Sequence, residues 1–145
     1  ETPFEIGKSQ VLWLPDEQKG ENFSGITIVS CGFLVYETLM AAKELAEEGI
    51  FVTVINNSSI KPLDEKLILE WAKKSKYFLT VEEHQISGGM GSAIAEFLSS
   101  AQPTLIKFLG VKDSFGETGQ AEELIEKYQL NKTAIKNEVK KILNK

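Results

Sequence analysis

The chain contains no arginine. Its 145 residues include 16 cationic side chains, and every one is lysine. Arginine's planar fork grips phosphate, carboxylate and guanine through paired hydrogen bonds, and lysine's point charge does not reproduce that geometry. The 21 Asp and Glu residues outnumber the lysines and leave a formal net charge of -5. Nucleic-acid binders concentrate positive charge, so that class of partner is excluded. A phosphate site on this chain would need lysine, backbone N–H groups or a helix N-terminus.

Cysteine and histidine are almost as scarce, with one Cys31 and one His84. A lone cysteine cannot form an intrachain disulfide, which suits a reducing cytoplasm. The pair leaves too few soft ligands for zinc, and no metal site is expected. No apolar run approaches the ~20 residues of a membrane span, and no signal peptide is visible. The chain starts at Glu1 rather than Met, which leads us to expect a processed subunit or a piece of something longer.

What is present is ordinary for a globular domain. The chain is 42% hydrophobic and 26% charged, a balance unlike that of disordered chains. Its length suits one domain, which buries roughly 70% of the surface exposed when unfolded without a disulfide or metal staple.

Strand and helix patterns alternate along it. A short strand is expected over 10–14, ended by Pro15 and Asp16. The polar stretch 16–25 reads as a turn, and the β-branched run 26–31 as a buried strand stopped by Gly32. A helix over 33–48 carries Val35, Leu39, Ala42, Leu45 and Ala46 as its apolar stripe, with Gly49 at its C-cap. A second buried strand covers 50–55. Asp64 is the expected N-cap of a helix that buries Leu67, Ile68, Trp71 and Ala72. There follow a strand over 77–81, a loop over 82–91, a helix over 92–100 and a strand over 105–111. Helices over 120–128 and 133–143 close the chain, the last capped by Asn131 or Thr133. Such alternation builds right-handed βαβ units and a mostly parallel sheet covered on both faces. The expected fold is a three-layer α/β/α arrangement around five strands, the first of them antiparallel.

In such sheets ligands gather at the C-terminal ends of strands. Three ends carry informative residues: Cys31-Gly32, the turn 56–59, and Glu82-Glu83-His84 with the glycine loop Gly88-Gly-Met-Gly91. The loop sits where bare N–H groups can cradle a phosphate. It fails the dinucleotide template, because Ile94 stands where Gly or Ala is required, and no Gly-Lys-Ser/Thr follows. A tight turn bringing the following helix against the sheet is the simpler role. Glu82 and Glu83 point to opposite faces if both are in a strand, so they do not converge on a metal. One of them is expected to accept hydrogen bonds from the glycine loop. Cys31 is expected to be a small buried apolar residue, with His84 the one base in the chain that could serve it. Trp13 and Trp71 are packing residues. Lys132, Lys136, Lys140, Lys141 and Lys145 read as a solvated helix face. From the residues alone the chain is an α/β domain without a self-sufficient active site.

The same residues carry a family resemblance. The runs Gly25-Ile-Thr-Ile-Val-Ser-Cys-Gly32, Ala41-Ala-Lys-Glu-Leu45 and Gly49-Ile-Phe-Val-Thr-Val-Ile-Asn56 resemble the opening of the transketolase C-terminal domain. Ser59-Ile-Lys-Pro-Leu-Asp64 is similar to that family's next connection, and Thr80-Val-Glu-Glu-His84 with Gly88-Gly-Met-Gly-Ser-Ala-Ile-Ala-Glu96 to its most specific run. Gly116-Glu-Thr-Gly119 and the closing helices resemble its end. The likeness runs in order from about residue 4 to residue 143.

The resemblance implies a parent transketolase that moves a two-carbon ketol unit between sugar phosphates, the chemistry of the pentose phosphate pathway. Thiamine diphosphate and a divalent metal would be held by the other domains, and neither by this one. The implied role is a scaffold and dimerisation domain, inactive alone, partnered by the remaining transketolase domains or N-terminal subunit and by a second copy in a homodimer. Residues 1–20 would lead in from a pyrimidine-binding domain, with 21–145 forming the C-terminal domain. No catalytic, cofactor-binding or metal residues are expected in it. Glu82, Glu83, His84, Gly88, Gly89, Gly91, Lys61, Pro62 and Asp64 would set loop geometry and domain docking. Relatives in the superfamily differ at marked places. The 1-deoxyxylulose-5-phosphate synthases usually lack the histidine of the triplet and carry His-Gly where this chain has Thr118-Gly119, and transketolases have Ser-Gly there. Dehydrogenase beta subunits usually have an acid and an arginine where Asn56 and Asn57 stand. The alternatives to a transketolase are thus one of those relatives, or a free-standing nucleotide- or phosphate-binding module.

Overall fold

A computed structural model describes residues 4–144. Lys145 and the first three residues of the expected lead-in lie outside the described residues. The elements run β1 (Gln10–Trp13), β2 (Phe23–Ser30), α1 (Leu34–Glu47), β3 (Phe51–Asn56), α2 (Glu65–Lys74), β4 (Tyr77–Gln85), α3 (Met90–Ala101), β5 (Leu105–Val111), α4 (Ala121–Lys127) and α5 (Lys132–Ile142). The sheet order is β1-β3-β2-β4-β5. β1 runs antiparallel to β3, and the other pairings are parallel.

Alternation along the strands makes the three layers. Ile26, Ile28, Leu79 and Val81 point to one face, where Leu34, Ala41 and Leu45 of α1 and Ile135 and Val139 of α5 cover them. Val29, Ile55 and Phe78 point to the other, under Ile68 and Trp71 of α2 and Met90, Ile94 and Leu98 of α3. Fully burying each such side chain contributes roughly 1.5–3 kcal/mol. The chain leaves β2 toward β3 on one side and returns after α2 to β4 on the other. The C-terminal ends of β2 and β4 therefore flank the point where the strand order reverses, the usual ligand crevice of open α/β sheets.

Several boundaries differ from the sequence expectation for identifiable reasons. β1 is antiparallel as expected, but its partner is β3 rather than the next strand. β2 starts at Phe23, inside the expected polar turn, because Phe23 pairs with Phe51 and its ring stands edge-on to Trp71 with centroids 6.0 Å apart. The buried stripe of α1 is Leu34, Thr38, Ala41, Ala42 and Leu45, so most of the expected stripe is rotated toward the edge. Thr38 is tolerated there because its hydroxyl donates to the Leu34 carbonyl at 2.8 Å. Residues 82–85, expected as loop, continue β4. After an irregularity beyond Val81, Gln85 pairs with Val111 and the Ile86 N–H donates to the Val111 carbonyl at 3.0 Å. α3 also starts two residues early and takes in Gly91.

The lysines of α5 are the largest correction. Lys132, Lys136 and Lys140 do not form a solvated face. Glu44 receives Lys132 and Lys136, each at 2.7 Å, and Glu48 receives Lys136 at 3.1 Å and Lys140 at 2.5 Å. The four-residue spacing is the same on both helices, so the two ladders mesh when α5 packs on α1. Glu37 also accepts the Lys132 N–H at 2.7 Å, while Asn131, the cap actually used, accepts the Ala134 N–H at 2.9 Å. Lys141 reaches only Glu138, within its own helix.

This ladder makes the packing of α5 pH-dependent. Hydrogen bonds from Lys132 and then Lys136 hold the Glu44 carboxyl down to about 2 from its ordinary 4.5. A carboxylate with a depressed folded-state pKa stabilises the fold above the unfolded pKa, and that stabilisation disappears as pH falls toward the folded value. Thermal melts followed by circular dichroism should therefore show Tm falling as pH drops from 4.5 toward 2. Glu44→Gln should lower Tm at neutral pH and flatten that slope. A variant with the wild-type slope would show that the ladder does not hold α5.

Candidate functional site

The candidate site is the rim at the C-terminal ends of β2, β3 and β4. It is built around one carboxylate. Glu82 lies on β4 and is 1% exposed. Its Oε2 accepts the Met90 N–H at 2.6 Å, and its Oε1 accepts the Gly91 N–H at 2.9 Å. These donors belong to the first turn of α3, whose N-cap Gly89 offers no side chain to satisfy them. The strand thus caps the helix, and a negative charge meets the positive end of the helix dipole.

Each glycine of the loop answers a different steric demand. Gly88 turns the chain at φ +80. A Cβ on Gly89 would collide with the Glu82 carboxylate and fall 2.5 Å from the Gln85 carbonyl oxygen. A Cβ on Gly91 would fall 2.5 Å from Thr80 Oγ1 and 2.7 Å from Phe108 Cδ1, so this glycine lets α3 lie close on the sheet. Ser92 closes the loop, donating from Oγ to the Ile86 carbonyl at 2.7 Å and accepting the Gly88 N–H at 3.0 Å. The Gly89 N–H donates to the Ile86 carbonyl at 3.3 Å. All four N–H groups from Gly88 to Gly91 are therefore engaged inside the chain, and the loop has no open cradle for a phosphate.

Glu83 takes the opposite face and is exposed. It approaches the β2 end, where a Cβ on Gly32 would lie 3.5 Å from its Oε1. The thiol of Cys31 is pushed up to about 11, first by burial and then by Glu82 and Glu83. A protonated thiol is neither nucleophile nor metal ligand at neutral pH. His84 stands exposed between two clefts. It borders a cavity of about 610 Å³ together with Glu83, Phe33 and Tyr128, and a smaller one of about 350 Å³ with Ile60, Glu82 and the glycine loop. Among the described residues, no three His, Cys, Asp or Glu side chains stand close enough to share a metal ion.

The Lys61–Asp64 turn reaches the same rim through Ile60. Its Lys61–Pro62 bond is cis, and Ser59 Oγ donates to the Pro62 carbonyl at 2.9 Å. Asp64 caps α2 by accepting the Leu67 N–H at 3.1 Å, and with its other oxygen it accepts the Ser9 N–H at 3.0 Å. Ser9 Oγ in turn donates to Asn57 Oδ1 at 2.6 Å, and the Asn57 N–H donates to the Ser30 carbonyl at 2.8 Å. The incoming segment is thereby pinned to the sheet. Lys61 is exposed and takes no part in this chain of bonds. Ser9 is a residue that sequence reasoning missed; Asn57 lies in the turn 56–59 already singled out, but its partner was not foreseen. Ser9 is 55 residues from Asp64 and 48 from Asn57, and no local pattern links them.

A family profile described as "Transketolase, C-terminal domain" matches residues 19–135. The 6-deoxy-6-sulfo-D-fructose transketolase subunit SqwH of Clostridium sp. (strain MSTE9) is 39% identical over 88% of this chain and 37% of its own length. The 1-deoxy-D-xylulose-5-phosphate synthase of Syntrophus aciditrophicus (strain SB) is 36% identical over 98% of this chain and 21% of its own. A solved structure described as a split gene transketolase, inactive beta4 tetramer, superposes with TM-score 0.85 at 37% identity, covering 99% of this chain and 44% of that one. The chain thus spans less than half the length of these relatives.

The Glu82 clamp makes a direct prediction. Glu82→Gln turns one accepting oxygen into a donor facing an N–H, and a buried unsatisfied donor costs roughly 1–3 kcal/mol. Urea unfolding should show a loss of that size. Gly89→Ala should destabilise as well, because its methyl displaces the same carboxylate. Wild-type stability in both variants would show that the clamp does not hold the loop.

Proposed function

The chain belongs to the transketolase C-terminal domain family, and from that premise we propose that it is the scaffold and dimerisation part of a thiamine diphosphate-dependent transketolase. The assembled enzyme would transfer a two-carbon ketol unit between sugar phosphates in the cytoplasm. One observation carries the scaffold role. At the reversal point of the sheet, where an α/β domain would seat a phosphate, the helix N-terminus is already filled by Glu82.

The residues of this chain do not fit the cofactor. The glycine loop has no free N–H cradle, the sequence has no arginine, and Glu83 stands exposed on the rim with no ion pair among the described residues. Thiamine diphosphate and its metal therefore belong to sections outside this chain. The residues here hold the rim's shape: Glu82 fixes the start of α3, and Asp64 fixes the segment that leads into the domain. Glu83, His84, Pro62 and Lys61 would then be presented outward for docking. The partners in this reading are the remaining transketolase domains, on the same or a separate chain, and a second copy of the assembly.

A synthase parent is the second reading, favoured by the likeness to the Syntrophus aciditrophicus enzyme. Product analysis of the assembled enzyme separates them: one makes 1-deoxy-D-xylulose 5-phosphate, and the other transfers a ketol unit. For the scaffold role, titration calorimetry of the purified chain should show no heat of thiamine diphosphate binding. Adding the pyrimidine-binding domain together with the section that carries a Gly-Asp-Gly-type diphosphate motif should produce activity. Tight cofactor binding by the chain alone would overturn the reading.

A further inference from the structure

The 610 Å³ cavity beside His84 is unfinished on one side. α4 turns Leu124 and Ile125 toward it together with Tyr128 just beyond the helix, yet none of α4's residues is buried. The apolar surface also continues past the mouth. Phe33, which lines the cavity, is 57% exposed, and Tyr36 one turn along is 65% exposed. Phe115 is 97% exposed, and its loop is held beside the cavity by a hydrogen bond from Tyr128 Oη to the Phe115 carbonyl at 3.3 Å. A small ligand filling the hollow would touch Phe33 and leave Tyr36 and Phe115 in water. Exposed rings beside an apolar hollow are features of a macromolecular contact.

The charge of the mouth selects the partner. Glu83 lines the cavity with no ion pair among the described residues, while Glu117 is matched by Lys127 at 2.5 Å. Glu122 and Glu123 open α4 and are exposed. The chain has no arginine to offer in return. We propose that this rim is where the remaining transketolase section docks, by seating an apolar side chain in the cavity and an adjacent arginine or lysine against Glu83. The inference rests on the scaffold reading above and names the surface and chemistry through which it acts.

The test supplies the remaining section in trans, pyrimidine-binding and diphosphate-motif domains together, and measures its association with this chain by sedimentation, at low and moderate salt. Phe115→Ser and Glu83→Lys should each weaken association by about tenfold, as loss of an interface anchor does. Both residues are exposed, so the thermal midpoint of the chain alone should not move. Wild-type association should weaken with salt, and Glu83→Gln should reduce that dependence. Association of both variants at wild-type strength would overturn the surface while leaving the scaffold reading intact. Loss of self-association with hetero-assembly unchanged would also overturn it, by assigning the rim to a contact between copies. Failure of the wild-type chain to associate at all would overturn the scaffold reading and this inference with it.

Discussion

The Glu82 carboxylate at the start of α3 is the interaction on which the rim depends. It needs three separate conditions. Glu82 must point toward the α2–α3 layer, which the alternation of β4 decides. Gly89 must have no side chain, because the carboxylate occupies that space. Gly91 must let α3 approach Thr80 and Phe108 closely enough for its N–H to reach Oε1. Charge-assisted hydrogen bonds strengthen when water is excluded, and Glu82 is almost fully enclosed. A loop that resembles a phosphate cradle in sequence is therefore the opposite in space, an anion site filled by its own chain.

The two faces of the sheet are held by different physics. The α2–α3 face is closed by apolar burial and by the clamp. On the α1–α5 face, apolar packing is reinforced at its outer edge by the Glu44 and Glu48 ladder with α5. Exposed ion pairs are individually weak, and a network of several on two rigid helices is the arrangement in which they matter. α4 has no comparable support. It is seven residues long, it buries nothing completely, and one exposed pair from Lys127 to Glu117 ties it back to its loop. The side of the domain that is least complete is thus also the side where the rings stand exposed.

Much of this was legible in the sequence, and the remainder was hidden for physical reasons. The strand and helix order follows from periodicity, since β-branched runs and amphipathic stretches report local geometry. β5 matches its expected bounds, and Asp64 caps α2, because both depend on neighbours in sequence. The glycine loop suggested a carboxylate partner, but whether Glu82 or Glu83 supplies it depends on strand parity beyond Val81. The β4 extension needed β5 beside it to be visible. Ser9 carried no signal, and Asn57 none beyond its place at a strand end, because their partners are about fifty residues away. The lysines of α5 looked solvated because a helix face has no meaning until its neighbour is known. Motif order, which integrates many such contacts, pointed to the family where single residues did not.

The absent arginine acquires a structural meaning from these placements. Lys132, Lys136 and Lys140 are engaged with α1 at the edge of the domain, where Lys136 bridges Glu44 and Glu48 as a flexible point charge can. None of the bonds that define the rim uses a cation. Glu82 is neutralised by backbone N–H groups, and Asp64 by the Ser9 and Leu67 N–H groups. The rim therefore keeps its shape without help from a cation, and Lys61 and Glu83 both stand exposed on it. At the mouth of the cavity Glu83 favours a cationic protein segment over an anionic ligand. With no arginine in the sequence, anion binding at the start of α3 falls to backbone N–H groups, and Glu82 already takes them.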